Sequence, residues 1–155
     1  MRRFFIAAVA LLLAACSEPV DLKTSLQVTD LATGWFDAGV VDGKNKLVPS
    51  LTFRLQNTSE ADLPYVSMNI VFRNLVRNET HEEVFKQRLP FTGKQTELLT
   101  IRAQNGAVGE PPQSRQDMLR SSYFEDMEAV ILVRQSASQW VELQRVRVER
   151  QLVTQ

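Results

Sequence analysis

Apolar and polar residues alternate along much of this chain with the two-residue period of a β-strand. The clearest pattern is in residues 51–56, which read Leu-Thr-Phe-Arg-Leu-Gln. Residues 66–72 repeat it as Val-Ser-Met-Asn-Ile-Val-Phe, with Val71 as an apolar residue on the otherwise polar side. We predict a strand at each place, with one face in a core and one in water. Val71 indicates a partly covered outer face rather than a binding site.

Shorter alternations and apolar runs predict further strands in residues 26–29, 35–41, 82–89, 97–102 and 128–134. We expect Gly34 to separate the first two of these strands. The last of them has the apolar centre Ala-Val-Ile-Leu-Val, which indicates a central strand that is covered on both faces.

The apolar residues of the last segment change parity. Val141 and Leu143 have odd numbers, whereas Val146 and Val148 have even numbers. Because a slip of one residue reverses the faces of a strand, we predict either a bulge near residues 144–145 or a junction of two strands there.

Turn residues and one capping signal complete the pattern. The sequence Asp-Gly-Lys-Asn at residues 42–45 predicts a turn, since Gly and Asn tolerate positive φ. Residues 107–113 are irregular and contain the pair Pro111-Pro112, which excludes a helix interior or a central strand. Ser114, with Asp117 three residues later, predicts the N-cap of a short helix over residues 115–121.

Together these elements predict an all-β fold, an antiparallel sandwich or barrel of about seven to eight strands with one short helix, in residues 25–155. Within it, residues 51–72 form a strand, an Asn-Thr-Ser turn and an aliphatic strand ending in Phe72. This arrangement resembles the immunoglobulin-like modules called FxLYD or LEA14-like domains. The resemblance implies an immunoglobulin-like sandwich with binding or assembly roles and no general chemistry.

The first 16 residues follow a different pattern. Two arginines precede an apolar run of 12 residues, from Phe4 to Ala15, which is shorter than the roughly 20 residues of a membrane-spanning helix. This is the pattern of a secretory signal. Its end, Leu13-Ala14-Ala15-Cys16, resembles the lipobox of bacterial lipoproteins.

The lipobox resemblance implies that residues 1–15 are removed and that Cys16 carries a diacylglyceryl group as a membrane anchor. Cys16 is the only cysteine, so an internal disulfide is impossible and an unmodified thiol would remain free. Residues 16–24 would be a short polar tether. In such families an Asp after the Cys marks inner-membrane retention, so Ser17 favours the periplasmic face of the outer membrane if the source has two membranes.

Charge excludes one class of partner. The chain has 18 Lys and Arg residues against 18 Asp and Glu residues, and removal of Arg2 and Arg3 leaves it slightly acidic. This balance gives no electrostatic footprint for nucleic acid.

Residues suited to chemistry are sparse. His81 is the only histidine and has carboxylates around it, which we interpret as a solvated loop rather than a metal site. The pairs Glu82-Glu83 and Glu125-Asp126 are candidates for acid and base catalysis, but adjacent residues on a strand face opposite ways. We therefore expect no catalytic, cofactor or metal site, and no enzyme.

Two surfaces have open interpretations. One face of the last strand carries Arg145, Arg147, Glu149 and Gln151, with Arg134 and Arg150 nearby in sequence. We expect a solvated face that protects an edge strand, and the alternative is contact with an acidic partner or lipid head groups. The loop of residues 104–114 is either an ordinary crossover or a recognition surface, for which Glu110, Gln113 and Arg115 are candidates.

The sequence thus favours a lipid-anchored protein of the cell envelope that is a non-enzymatic interaction or assembly subunit of a membrane-associated complex. The alternative is a periplasmic carrier or chaperone of an apolar ligand such as lipid, which would need a cavity in the sandwich.

Overall fold

The computed structural model describes residues 20–154, which form a sandwich of two β-sheets. The strands are β1 (Leu26–Val41), β2 (Lys44–Asn57), β3 (Val66–Asn74), β4 (Glu79–Lys86), β5 (Phe91–Thr92), β6 (Gln95–Thr96), β7 (Leu99–Arg102), β8 (Ala107–Gly109), β9 (Met127–Gln135), β10 (Val141–Arg147) and β11 (Leu152–Val153). The helices are α1 (Leu22–Ser25) and α2 (Arg115–Arg120). The predictions for residues 1–15, Cys16 and Ser17 lie outside the described residues.

The first sheet has the order β11-β1-β2-β6-β5, with β7 and β8 also paired to β2. The second sheet has the order β10-β9-β3-β4. All pairs are antiparallel except that of β1 with β11. The predicted all-β sandwich is confirmed. Residues 20–154 contain eleven strands rather than seven to eight, because four of them have only two or three residues, and α1 is a second helix that the sequence pattern did not predict.

The core lies between the two sheets and follows the alternation in the sequence. Every inward residue of the two clearest patterns is at most 1% exposed: Leu51, Phe53 and Leu55 in β2, and Val66, Met68, Ile70 and Phe72 in β3. The outward Val71 is half-buried, as expected for a partly covered outer face. Strand β9 pairs on both sides, with β3 and β10, which confirms its predicted central position.

The two strands predicted on either side of Gly34 are one strand, β1, with irregularities between Thr29 and Ala32 and between Asp37 and Val40. Gly34 does not break the strand. A Cβ atom there would lie 2.5 Å from the side chain of Val153, so glycine allows β11 to approach β1.

The parity change in the last segment has the first of the two predicted causes. The register of β10 against β9 shifts between Glu142 and Gln144, which is the expected bulge. The alternative, a junction of two strands near residues 144–145, is wrong, because β10 continues to Arg147 and β11 begins at Leu152. After β10 the chain leaves the second sheet and pairs with β1 of the first as β11. One segment therefore joins the two sheets.

The predicted polar tether, residues 16–24, overlaps the folded domain. Asp21 caps α1 by accepting a hydrogen bond from the Lys23 backbone, and Leu22 is buried in the core. The short helix packs against β1, β9 and β10. The core thus begins at or before Leu22, because that side chain is buried between the two sheets.

The sandwich has two distinct ends. We call one the entry end, where α1 lies and Leu26 pairs with Asn57. The other is the far end, which holds the Asp42-Gly43 turn and the pair of Asn74 with Met127. No helix in residues 20–154 is long and apolar enough to cross a membrane.

Candidate binding cleft

An open cleft of about 420 Å³ lies at the far end of the sandwich. Its walls come from four parts of the chain: β4, the loop and strand around β8, helix α2, and the segment that joins α2 to β9. The sequence signals for these parts were separate, and only the packing of the two sheets brings them together.

The floor of the cleft is apolar. It is formed by Trp35, Met118, Phe124 and Met127, all of which are buried. The rings of Trp35 and Phe124 meet edge to face with their centroids 4.5 Å apart, a favourable geometry for two aromatic rings. The indole N–H of Trp35 has no acceptor among residues 20–154, so the floor also contains one unsatisfied donor.

Helix α2 positions Met118 in this floor. Ser114 and Asp117 form the predicted capping box, in which each side chain bonds the backbone of the other. The hydrogen bond from the Ser114 hydroxyl lowers the pKa of Asp117. The capped helix buries Met118 and Leu119 on its inner face, which fixes one wall of the cleft.

Arg150 holds the segment after α2 in place. Its guanidinium donates to the carbonyl oxygens of Leu119 and Ser121 at 3.2 Å and of Phe124 at 2.9 Å. Its Nε donates to Asp126 at 2.7 Å. One side chain therefore satisfies three carbonyl groups of an irregular segment and ties them to the start of β9.

Asp126 is the acidic partner in this arrangement. The hydrogen bond from Arg150 lowers the pKa of its carboxyl group, and Arg147 adds to this effect, while burial opposes it. Because its pKa is lowered, the Asp126 carboxylate stays ionised and can pair with both guanidinium groups.

Polar side chains form the rim. Glu125 accepts a hydrogen bond from Asn74 at 2.5 Å and forms an ion pair with Arg77 at 2.9 Å. His81 lies in the rim with its Nε2 3.1 Å from the carbonyl oxygen of Asn105. These contacts give the rim hydrogen-bonding groups and one internal ion pair.

Glu82 connects β4 to the loop that follows β7. Its carboxylate accepts hydrogen bonds from the backbone N–H groups of Gln104 and Asn105 at 2.8 and 2.9 Å. Burial raises the pKa of Glu82, but these hydrogen bonds outweigh it, and the net pKa is lowered. The bond links the edges of the two sheets beside the cleft.

Gly106 allows the wall at β8 to form. A Cβ atom at this position would lie 1.9 Å from the carbonyl oxygen of Leu47 and 2.8 Å from the Cα atom of Val48. Both neighbours are backbone atoms of β2, so neither can move without displacing the strand. Glycine is thus required for the loop to pass this close to the sheet.

Two apolar side chains stand in solvent beside the floor. Tyr123 is 92% exposed, and Val108 is also largely exposed. Both line the cleft. The mouth of the cleft is therefore more apolar than an ordinary solvated surface.

The structure separates the sequence candidates. His81 and Glu125 line the cleft, and so does Gln113 from the loop of residues 104–114. His81 lies in β4 rather than in the predicted loop. Glu110 and Arg115 instead pair with Lys44 and Asp37, at 2.7 and 3.0 Å.

The carboxylate pairs do not converge. Glu82 accepts a hydrogen bond from the loop backbone, whereas Glu83 accepts one from Asn69. Glu125 forms an ion pair with Arg77, whereas Asp126 forms ion pairs with Arg147 and Arg150. In residues 20–154, no group of three His, Asp or Glu side chains is placed to hold a metal ion.

The arginines of the last segment have internal partners. Arg145 pairs with Glu128 and Glu142 at 2.6 and 3.0 Å, and Arg147 pairs with Asp126. Their charges are largely neutralised within the domain.

Sequence reasoning missed three residues that line the cleft, Trp35, Tyr123 and Phe124. It named Arg150, but only beside a charged outer face. The adjacent aromatic pair Tyr123-Phe124 after a predicted helix was a visible signal. The role of Arg150 had no local signal, since its partners lie 24 to 31 residues away in sequence.

No protein-family model matches this chain, and no curated protein matches it. One solved structure with partial similarity to this chain is described as the X-ray structure of Northeast Structural Genomics Consortium target SoR45. It is 13% identical, with 83% of this chain and 86% of that chain covered and a TM-score of 0.39. A likeness this weak supports no functional argument.

Proposed function

We propose that this protein is a lipid-anchored envelope protein, attached through Cys16 and facing the periplasm, and that it is a non-enzymatic interaction or assembly subunit of a membrane-associated complex. The lipobox resemblance supports the anchor and the localisation. The cleft at the far end supports the interaction role, and it is the surface that would bind a protein partner.

The make-up of the cleft is the observation that carries this proposal. Stable protein interfaces combine a buried apolar centre with a polar rim, and aromatic side chains dominate their binding energy. Here Trp35 and Phe124 form an apolar floor, Glu125 and His81 lie in the rim, and Tyr123 stands exposed at the mouth. Met118 and Met127 can adapt to the shape of an inserted side chain.

The position of the cleft fits an anchored protein. Leu26 begins β1 at the entry end, and Trp35 lies nine residues further along the same strand. At about 3.3 Å per residue this places the floor up to about 30 Å from the entry end. With the anchor at Cys16, the cleft would point away from the bilayer, where a periplasmic partner can reach it.

The partner that this cleft suits is a protein segment that inserts one apolar or aromatic side chain. Arg77 and Glu125 already neutralise each other, so the rim offers hydrogen bonds rather than net charge. We therefore expect binding that depends on apolar contact and varies little with salt.

Affinity capture from detergent extracts tests this function. We expect the wild-type chain to capture a reproducible partner, and Tyr123→Ala and Val108→Ser to lose it while their unfolding temperatures stay unchanged. Leu98→Ser is the matched control, because Leu98 is also exposed but does not line the cleft. Capture that survives both cleft substitutions, or that is absent in the wild type, would argue against the proposal.

The second candidate function, a carrier of an apolar ligand, rests on the same floor. A volume of about 420 Å³ is within the range of small-molecule sites, although the cleft is open to solvent. Native mass spectrometry after gentle purification distinguishes the two functions. A bound lipid mass that disappears on Val108→Glu, which puts a charge at the exposed mouth of the cleft, would favour the carrier over the interaction subunit.

A further inference from the structure

We infer that the outer face of the second sheet at the entry end is a contact surface for a bilayer with anionic lipid head groups. We call this surface the entry-end patch and define it by Tyr65, Phe85, Arg88, Arg134 and Trp140. The inference rests on the proposed anchoring at Cys16, but it concerns a different surface from the cleft.

The patch consists of two groups of aromatic and guanidinium side chains, and Tyr65, Phe85, Arg88 and Arg134 from both groups line one surface depression. The guanidinium of Arg134 lies 4.6 Å from the ring centroid of Trp140 and 5.9 Å from that of Phe85. The Phe85 and Trp140 rings meet edge to face at 5.8 Å. Arg88 lies 5.5 Å from the ring centroid of Tyr65.

The strand register places the patch at the entry end. Arg134 of β9 pairs with Ser67 at the start of β3, and Tyr65 accepts a backbone hydrogen bond from Ser136. Trp140 directly precedes β10, against which α1 packs. The patch and the point where the described chain begins thus share one end of the sandwich.

Two of its rings face water, and that of Trp140 is half-buried. Tyr65 is 59% exposed, and Phe85 is also among the exposed large apolar side chains. Tyr and Trp beside arginine are the side chains that occupy the boundary between head groups and acyl chains, since each has an apolar body and a polar tip. The composition of the patch matches that boundary.

The charge of the patch is not neutralised within the domain. Among residues 20–154, no ion pair involves Arg88 or Arg134, and the Nε of Arg134 has no hydrogen-bond acceptor.

The acidic groups near the patch have other partners. Glu83 accepts a hydrogen bond from Asn69, and Glu142 pairs with Arg145. The patch is therefore positive, whereas Arg73, Arg77, Arg147 and Arg150 towards the far end are paired. This contrast favours an anionic partner for the patch.

The tether decides in favour of a bilayer. Three residues separate Cys16 from Val20, where the described chain begins, and the four steps from one Cα atom to the next reach only about 14 Å even when fully extended. A domain anchored at Cys16 cannot move its entry end far from the head groups. Cationic side chains this near an anionic surface are attracted to it within about a Debye length of 8 Å at physiological salt.

Tryptophan fluorescence tests the contact, since Trp35 and Trp140 are the only tryptophans. The chain from Cys16 onward contains every residue of the core, and its single thiol can be coupled to a maleimide head-group lipid. This coupling makes the result independent of lipidation in the cell and of any partner at the cleft. The vesicles contain brominated phosphatidylcholine, with or without phosphatidylglycerol.

We expect the brominated lipids to quench the emission of Trp140, more strongly with phosphatidylglycerol present. Trp140→Phe should abolish the quenching, because Trp35 is 1% exposed and lies far from the entry end. The double variant Arg88→Gln and Arg134→Gln should remove the dependence on phosphatidylglycerol. Arg147→Gln is the matched control and should keep it, since Arg147 is paired with Asp126.

Two outcomes would overturn the inference. The first is quenching that is absent, or the same in both kinds of vesicle. The second is self-association of the uncoupled chain that the double variant abolishes, which would assign the patch to a second copy. A chain without fatty acid in the cell would refute the anchor instead. Capture that is absent in the wild type, or that survives the cleft substitutions, would refute the interaction role.

Discussion

Arg150 holds Phe124 by two contacts. Its Nη2 donates to the Phe124 carbonyl oxygen at 2.9 Å, and its guanidinium lies 5.3 Å from the centroid of the Phe124 ring. Phe124 in turn packs on Trp35. Arg150 lies in the segment that joins β10 of the second sheet to β11 of the first. It thereby supports the floor of the cleft, although it does not line the cleft itself.

Arg150→Ala should loosen the segment between α2 and β9. The substitution leaves three carbonyl groups and Asp126 without this partner, so we expect a loss of about 1–3 kcal/mol in unfolding free energy. Hydrogen exchange should accelerate in residues 119–126. Arg147→Ala is the control: it removes a partner of the same Asp126, but Arg147 is 61% exposed and the loss should stay below about 1 kcal/mol. Equal losses would contradict the role assigned to Arg150.

Asp126→Asn should make the free energy of unfolding depend less on pH in the acidic range. Arg150 lowers the pKa of Asp126 below its ordinary value of 3.8 in the folded state. A lowered folded pKa stabilises the protein fully above the unfolded pKa, and this stabilisation is lost as the pH falls through the folded pKa. The difference between wild type and variant should therefore be constant above about pH 5 and shrink below about pH 4.

Urea unfolding at a series of pH values measures this difference directly. Asp117→Asn is a useful comparison, because Ser114 lowers the pKa of Asp117 in the same direction at an exposed cap. A difference for Asp126→Asn that grows in acid would show that the sign is wrong.

Gly106→Ala should distort the cleft wall. The new Cβ atom would meet backbone atoms of Leu47 and Val48, so the loop before β8 must move away from β2 at a cost of about 1–3 kcal/mol. Gly109→Ala is the matched control in the adjoining strand. Its nearest neighbours are Sδ and Cγ of Met118, which can change rotamer, so we expect a loss of about 1 kcal/mol or less. Thermal unfolding of both variants would reveal any reversal of this order.

Period-two patterns predicted most of the fold because burial on one face enforces them. The alternation at residues 51–56 and 66–72 identified β2 and β3 correctly, and the Ser114 and Asp117 signal identified α2. In each case the information lies within a few residues of the element. The parity change after Leu143 predicted the bulge for the same reason, since a bulge is a local event.

Contacts between distant segments explain what could not be predicted. The sequence around Gly34 predicts a break, because the reason for the glycine lies more than a hundred residues later. Val153 of β11 occupies the position that a side chain at residue 34 would need. Leu22 follows a proline and a polar stretch, yet it is buried because α1 packs against β1, β9 and β10. The cleft combines β1, β4, β8 and α2, so no single stretch of sequence encodes it.

The anchor gives the last prediction: Cys16→Ser should release the protein from the membrane while the domain stays folded. Serine has no thiol to accept the diacylglyceryl group, and the apolar run of 12 residues is shorter than the roughly 20 that a spanning helix needs. The core, from Leu22 to Val148, includes no cysteine, so its unfolding temperature should not change. Fractionation with labelled fatty acid should show label on the wild type in the membrane fraction and none on Cys16→Ser. Ser17→Ala is the matched control and should keep both the label and the membrane fraction, whereas an unlabelled, fully released wild type would refute the anchor.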